Sequence, residues 1–167
     1  MEREILFRGK RVDNDEWVEG YYVPLGDKFH YICTGMLTIT NNVPKFEHYY
    51  VIPETIGRYT GLTDKNGKKI FEGDILCVDE PEDDPSALGE EYFPVFGVVQ
   101  FGTHNTEICT GNVCAENIGF FVAWQDNEDD DYSKTYRQDL GYWQKYPYCE
   151  IRGNIHDNPE MLGEKCL

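Results

Sequence analysis

Tyr59-Thr60-Gly61-Leu62-Thr63-Asp64-Lys65-Asn66-Gly67-Lys68-Lys69-Ile70-Phe71-Glu72-Gly73-Asp74-Ile75-Leu76 is the stretch on which the reading of the fold turns. Asn66-Gly67 is the dipeptide that tolerates positive φ at both central positions of a type I′ turn, and the segments flanking it can pair. Glu72-Gly73-Asp74 predicts a second turn, after which Ile75-Leu76-Cys77-Val78 begins a new strand. A tight hairpin, a glycine turn and an apolar extended run in quick succession are β architecture.

Towards the N-terminus the same texture continues. Ile5-Leu6-Phe7 leads to Arg11, the cluster Asp13-Asn14-Asp15-Glu16 has turn chemistry, and Trp17 to Val23 is apolar and aromatic, which predicts a β-hairpin. Pro24, Gly26 and Asp27 end it. Tyr31 to Thr34 and Met36 to Thr40 read as two short strands, closed by Asn41-Asn42 and Pro44, and Tyr49 to Pro53 is β-prone. Towards the C-terminus, residues 79–91 are acidic and proline-bearing and read as a loop. Val95 to Phe101 is a strand in which Gly97 marks a bulge or a barrel bend, and Gly119 to Trp124 is its match. A second acidic run fills residues 126–131. Tyr132, Tyr136, Leu140 and Trp143 recur at helical spacing, so residues 133–146 predict a helix capped by Ser133. Glu150 to Ile155 reads as a closing strand, and Asn158-Pro159 opens a terminal helical turn, because proline at the first helical position loses no needed N–H.

The expected fold is therefore mainly β. A small SH3-like β-barrel with acidic loops at 79–91 and 126–131 occupies residues 58–167. Residues 1–57 form an additional N-terminal β region, a hairpin plus short strands, and one or two short helices complete the chain. A β-sandwich is the alternative.

Length and composition bound the class. With 167 residues, 40% hydrophobic, 12 Tyr, 9 Phe and 3 Trp, the chain has ample material for a core and needs no staples. Its 31 acidic and 15 basic residues leave a formal charge of −16, which repels phosphate backbones and anionic membrane surfaces and favours partners with basic patches. Six cysteines are present: Cys33, Cys77, Cys109, Cys114, Cys149 and Cys166. The chain opens on the charged Met1-Glu2-Arg3-Glu4 and holds no run near twenty apolar residues, so a cytoplasmic setting with reduced thiols is expected.

Three segments carry a resemblance. Arg58 to Ile75 resembles the signature of the YopX family of phage and prophage proteins. Cys149-Glu150-Ile151-Arg152-Gly153-Asn154-Ile155-His156-Asp157-Asn158-Pro159-Glu160 is similar to that family's closing motif, and Arg3-Glu4-Ile5-Leu6-Phe7-Arg8-Gly9 to its opening. The middle, from Asp79 to Tyr148, departs from it. The resemblance implies a mostly β protein with an SH3-like barrel, encoded by a phage or prophage, and it implies no established activity and no catalytic residue. Among the motif residues Gly61, Asn66, Gly67, Gly73, Asp74, Gly153, Asn154, Asn158 and Pro159, backbone geometry is the shared requirement: turns need those residue types.

Each constellation with chemical potential meets an obstacle. Cys109 and Cys114 with His104, and His30 with Cys33, have ligand-like spacing, but the two pairs lie far apart and neither has the usual turn glycine of a zinc knuckle. The Asp126–Asp131 run lacks the sixth-position glycine and the twelfth-position Glu of a calcium loop, where Arg137 stands. Cys109 with His104 and Asn105 or Asn112 can be drawn as a thiol triad, without any family signature behind it. No glycine run matches a nucleotide-binding motif. Arg8-Gly9-Lys10-Arg11 beside Trp17, Tyr21 and Tyr22 is the single nucleic-acid-like feature. No cofactor, metal or membrane is expected.

The expectation is a non-enzymatic interaction protein that binds a host or phage protein with a basic surface. The alternatives are a DNA mimic built on the two acidic loops, a nucleic-acid-binding barrel and an unrecognised enzyme. Exposed strand edges are compatible with a homo-oligomer.

Overall fold

The computed structural model describes residues 4–40, 43–78, 94–108, 112–125, 135–145 and 148–162. The acidic runs at 79–91 and 126–131, and the cysteines Cys109 and Cys166, lie outside the described residues, so the expectations placed on them stay untouched. The chain divides into two compact units, Met1–Gly61 and Leu62–Leu167.

The first unit is an antiparallel sheet of β1 (Phe7–Lys10), β2 (Trp17–Leu25), β3 (Phe29–Thr40), β4 (Val43–Tyr50) and the start of β5 (Gly57–Thr63), in the order β4-β3-β2-β1-β5. The predicted hairpin is β1 and β2, with Phe7 opposite Gly20 and Lys10 opposite Trp17. Asp15, at φ +58, makes its turn, and Arg11 closes it on Glu16 and Asp13. The two short strands predicted between Tyr31 and Thr40 are one strand, interrupted by a register shift between Cys33 and Leu37. Gly35, at φ +76, lies at that shift. Pro44 is not a terminator, since it sits in β4 opposite Ile39. On the inner face, Leu6, Ile32 and Val51 are buried, and Gly9 admits Val51, whose Cβ lies 3.1 Å from where a side chain at position 9 would begin.

β5 runs on into the second unit, where its end faces β6 (Lys69–Phe71) across the Asp64–Lys68 turn. There β7 (Asp74–Val78), β8 (Val95–Ile108), β9 (Asn112–Gln125), β10 (Thr135–Asp139) and β11 (Cys149–Asn154) form a five-stranded antiparallel sheet, ordered β10-β9-β8-β7-β11. One face packs Leu76, Val99, Phe120, Val122 and Cys149 together with Ile70. The closed barrel expected here is not found: among the described residues no ladder joins β10 to β11. A helical turn, α1 (Leu140–Trp143), instead covers the apolar face by inserting Leu140 and Trp143 into the core.

Two further expectations are corrected by packing. Residues 133–146 do not form one helix. Thr135 to Asp139 pair as β10 with Gln125 to Phe121, and only the four residues of α1 are helical. Asp139, not Ser133, caps the turn by accepting from the Gly141 N–H at 2.8 Å. Ladder formation outweighs a helical spacing that Gly141 had already weakened. Gly97 marks no bend, because its register opposite Leu76 is regular. It makes room: a Cβ there would fall 2.3 Å from Val122 Cγ1 and 3.1 Å from Trp143.

Candidate functional site

The motif residues assemble into a frame. The Asn66-Gly67 turn is led by Asp64, whose Oδ1 accepts from the Asn66 and Lys68 N–H groups at 2.9 Å each. Gly67, at φ +78, carries the left-handed conformation, while Asn66 keeps negative φ. This is an aspartate-led turn ending on a left-handed glycine, and the type I′ expectation is replaced, because a carboxylate at the turn's first position binds the backbone two residues on. Asp64 Oδ2 then reaches across to accept from the Ile151 N–H at 3.2 Å, and the Lys65 N–H bonds Cys149 O at 3.0 Å. Asp64 is buried, so its three backbone donors replace water around it.

A second junction lies at Gly73, at φ +82. Its N–H bonds Val99 O and its carbonyl accepts from the Ile155 N–H, both at 2.9 Å. Asp74, also buried, accepts the Phe71 N–H at 2.7 Å, and Asn154 lies opposite Asp74 in the β7–β11 ladder. Asn154 Oδ1 accepts from His156 and Asp157, and its amide donates to Asp157 Oδ2 at 2.7 Å. Gly153 leaves room for Asn158, whose Oδ1 lies 2.4 Å from where a Cβ would be. Asn158 bonds back to Asn154 O, and Pro159 opens the expected terminal turn, a 3-10 turn (Pro159–Leu162). Gly61, at φ +88, lies apart within β5. The signature segment and the closing motif are thus bolted together at two places, Asp64 on Cys149 and Ile151, and Gly73 on Ile155.

Electrostatics follow the same seam. Lys65 bonds Glu150 at 2.7 Å and Arg152 bonds it from the other side at 2.6 Å, and this pairing, Lys65 first, holds the Glu150 carboxyl below its ordinary range. Burial, followed by the nearby Asp64, pushes the Cys149 thiol up to about 11, so it behaves as a small apolar group.

The other weighed constellations come apart. His30 and Cys33 stand three apart in β3 and so project to opposite faces. His30 is engaged by the Tyr22 hydroxyl at 2.5 Å. His104 is buried, its ring tilted against Phe121 at 5.1 Å, with Asp139 Oδ2 3.9 Å from its Nε2, beyond hydrogen-bond reach. Asn105 follows it in β8 and points to the other face.

The surface that sequence reading did not anticipate is the outer face of the first sheet. Alternation places Tyr21, Val23 and Leu25 of β2 beside Phe29 and Tyr31 of β3 and Phe46, His48 and Tyr50 of β4. Ile39, beyond the register shift, continues this face. Seven of these large apolar side chains are open to solvent, from 37% exposed at Val23 to 72% at Ile39. The rings are ordered among themselves: Tyr31 lies 4.2 Å from Tyr50 and 5.4 Å from His48, and Phe29 lies edge-on to Tyr50 at 5.8 Å. A hydrogen bond with Tyr31 raises the Tyr50 hydroxyl above its usual range. At the β1 end of this face, Arg8 and Lys10 lie over the Trp17 ring, at 4.7 and 5.7 Å from its centroid.

Among the described residues, two antiparallel sheets with one short α-helix define an all-β protein whose apolar surface opens on the first sheet. The YopX family model matches residues 6–163, and the chain belongs to the YopX family. Among solved structures it is similar to protein EF1440 from Enterococcus faecalis, at 22% identity and a TM-score of 0.50, covering 96% of this chain and 99% of that one. That likeness concerns the fold. No curated protein matches the sequence.

Proposed function

We propose that the chain is a non-enzymatic interaction protein, encoded by a phage or prophage and acting in the bacterial cytoplasm, that works by docking protein surfaces. The observation that carries this reading is the outer face of β2, β3 and β4, where seven large apolar side chains lie open on one sheet. Soluble monomers rarely expose contiguous apolar patches beyond a few hundred Å², and larger ones mark interaction sites. The charge of −16 adds the second criterion, favouring a partner protein with a basic surface and disfavouring nucleic acid. The sheet order of the second unit supports reading it as an open relative of an SH3-like barrel. Four strands meander, and the fifth returns beside the first after a helical turn, as in that fold.

Capture from bacterial lysate on immobilised chain tests the reading. A protein with a basic surface is expected to be retained at low salt and released at high salt. Absent or salt-insensitive capture at low ionic strength contradicts the proposal.

A further inference from the structure

We infer that the outer face of β2, β3 and β4 is covered by a second copy of the same chain, packed face to face about a two-fold axis. This rests on reading that face as a docking surface and names its occupant. A two-fold places the same patch on both sides of the contact, so the patch must be self-complementary and large enough alone.

Area is the first argument. Aromatic side chains present roughly 150–250 Å² each and the aliphatic ones somewhat less, so the open fractions of the seven side chains amount to roughly 700 Å². A standard interface takes about 800 Å² from each partner, of which some 56–65% is apolar, or roughly 500 Å². The face therefore supplies the apolar part of a stable dimer from its own side chains.

Charge is the second. Two copies that each carry −16 repel everywhere that carboxylates are dense, so they meet where carboxylates are sparse. By strand alternation the described residues of this face contribute one carboxylate, Glu19, together with the cations Arg8 and Lys10. Apposing this face brings few carboxylates of the described residues into the contact.

Preorganisation is the third. The ring contacts that link Phe29, Tyr31, Tyr50 and His48 limit the rotamer freedom lost on association. The same rings with Arg8 and Lys10 invite comparison with a platform for single-stranded nucleic acid. Val23, Leu25 and Ile39 argue against it, since branched aliphatic side chains offer bases no stacking surface. Both cations are also already seated on Trp17.

Sedimentation velocity of the full chain decides the matter, comparing wild type with the double variant Leu25→Glu/Phe46→Glu and with Ile118→Glu. All three positions are exposed, and Ile118 lies on β9 in the other unit. Wild type and Ile118→Glu are expected at twice 19.4 kDa, and the double variant at 19.4 kDa. Phe29→Lys, at the same face, is expected to dissociate the dimer as well and guards against a folding defect confined to one variant. A wild type of 19.4 kDa at every concentration, or a double variant that stays dimeric, overturns the inference. So does binding of oligothymidylate at low salt by wild type and not by the double variant. A monomeric wild type that still captures a basic protein sinks self-association alone. A dimer that captures nothing sinks the proposed function alone.

Discussion

Replacing Asp64 by alanine removes one carboxylate from three backbone donors at once, the N–H groups of Asn66, Lys68 and Ile151. Hydrogen bonds to a charged group contribute about 1.5–3 kcal/mol each when water cannot substitute. Asn66 and Lys68 are exposed, so water takes over much of their two bonds, whereas Ile151 is half-buried on β11. The expected loss is therefore about 2–4 kcal/mol, well below three full bonds. Asp64→Asn keeps an acceptor for the turn but sets an amide against the Ile151 N–H, and a loss of about 1–2 kcal/mol is expected. With a urea slope of about 1–3 kcal/mol per molar for a chain of this size, the alanine midpoint falls by roughly 1–2 M. Tryptophan fluorescence reads the right unit, because Trp124 and Trp143 pack together in its core at 5.3 Å. An unfolding free energy within about 0.5 kcal/mol of wild type would refute the reasoning. The signature would then serve something other than scaffolding.

Three other outcomes follow from the same geometry. Gly73→Ala places a Cβ at ordinary contact from Ile155 but forces a φ of +82 on an L residue, so a loss of about 1–2 kcal/mol by urea unfolding is expected. Cys149, pushed to about 11 and buried, and the buried Cys77 resist alkylation near pH 8, while Cys33, opposite Tyr21 on the outer face, reacts in the Leu25→Glu/Phe46→Glu variant. Peptide mass mapping after timed labelling distinguishes them, and early modification of Cys149 would contradict its burial. Glu150 has a folded pKa below its unfolded value, so its contribution is present above the unfolded pKa, near 4.5, and lost as pH falls through the folded one. Thermal midpoints across that acidic range are expected to fall more steeply for wild type than for Glu150→Gln, the difference reaching about 1 kcal/mol at most for a pair partly open to water.

Much of the frame was legible because turns announce themselves. Asp13 to Glu16, Gly67, Gly73 and Asn158-Pro159 all stand where the chain reverses or caps, since few residue types can occupy such backbone. The turn type at Asn66-Gly67 was misjudged because Asp64, two residues earlier, outranks the dipeptide once its carboxylate binds the backbone. Tyr136, Leu140 and Trp143 kept a helical spacing that the ladder with β9 overrode, and a single sequence holds no sign of that partner. Gly97 looked like a bend because the bulky neighbour it accommodates, Trp143, is remote in sequence. The open face escaped for a related reason. β2 and β3 carry apolar or aromatic residues on both faces, as in Tyr21-Tyr22-Val23 and Phe29-His30-Tyr31-Ile32. Alternation then cannot tell the buried side, that of Ile32, from the open one.

The open face of β2, β3 and β4 is covered when the protein assembles. Oxidative footprinting with mass spectrometry, run on concentrated wild type and on Leu25→Glu/Phe46→Glu, measures it residue by residue. Protection of Tyr21, Phe29, Ile39 and Tyr50 in the wild type, lost in the variant, is the predicted result. Equal labelling of those four side chains in both proteins would contradict it.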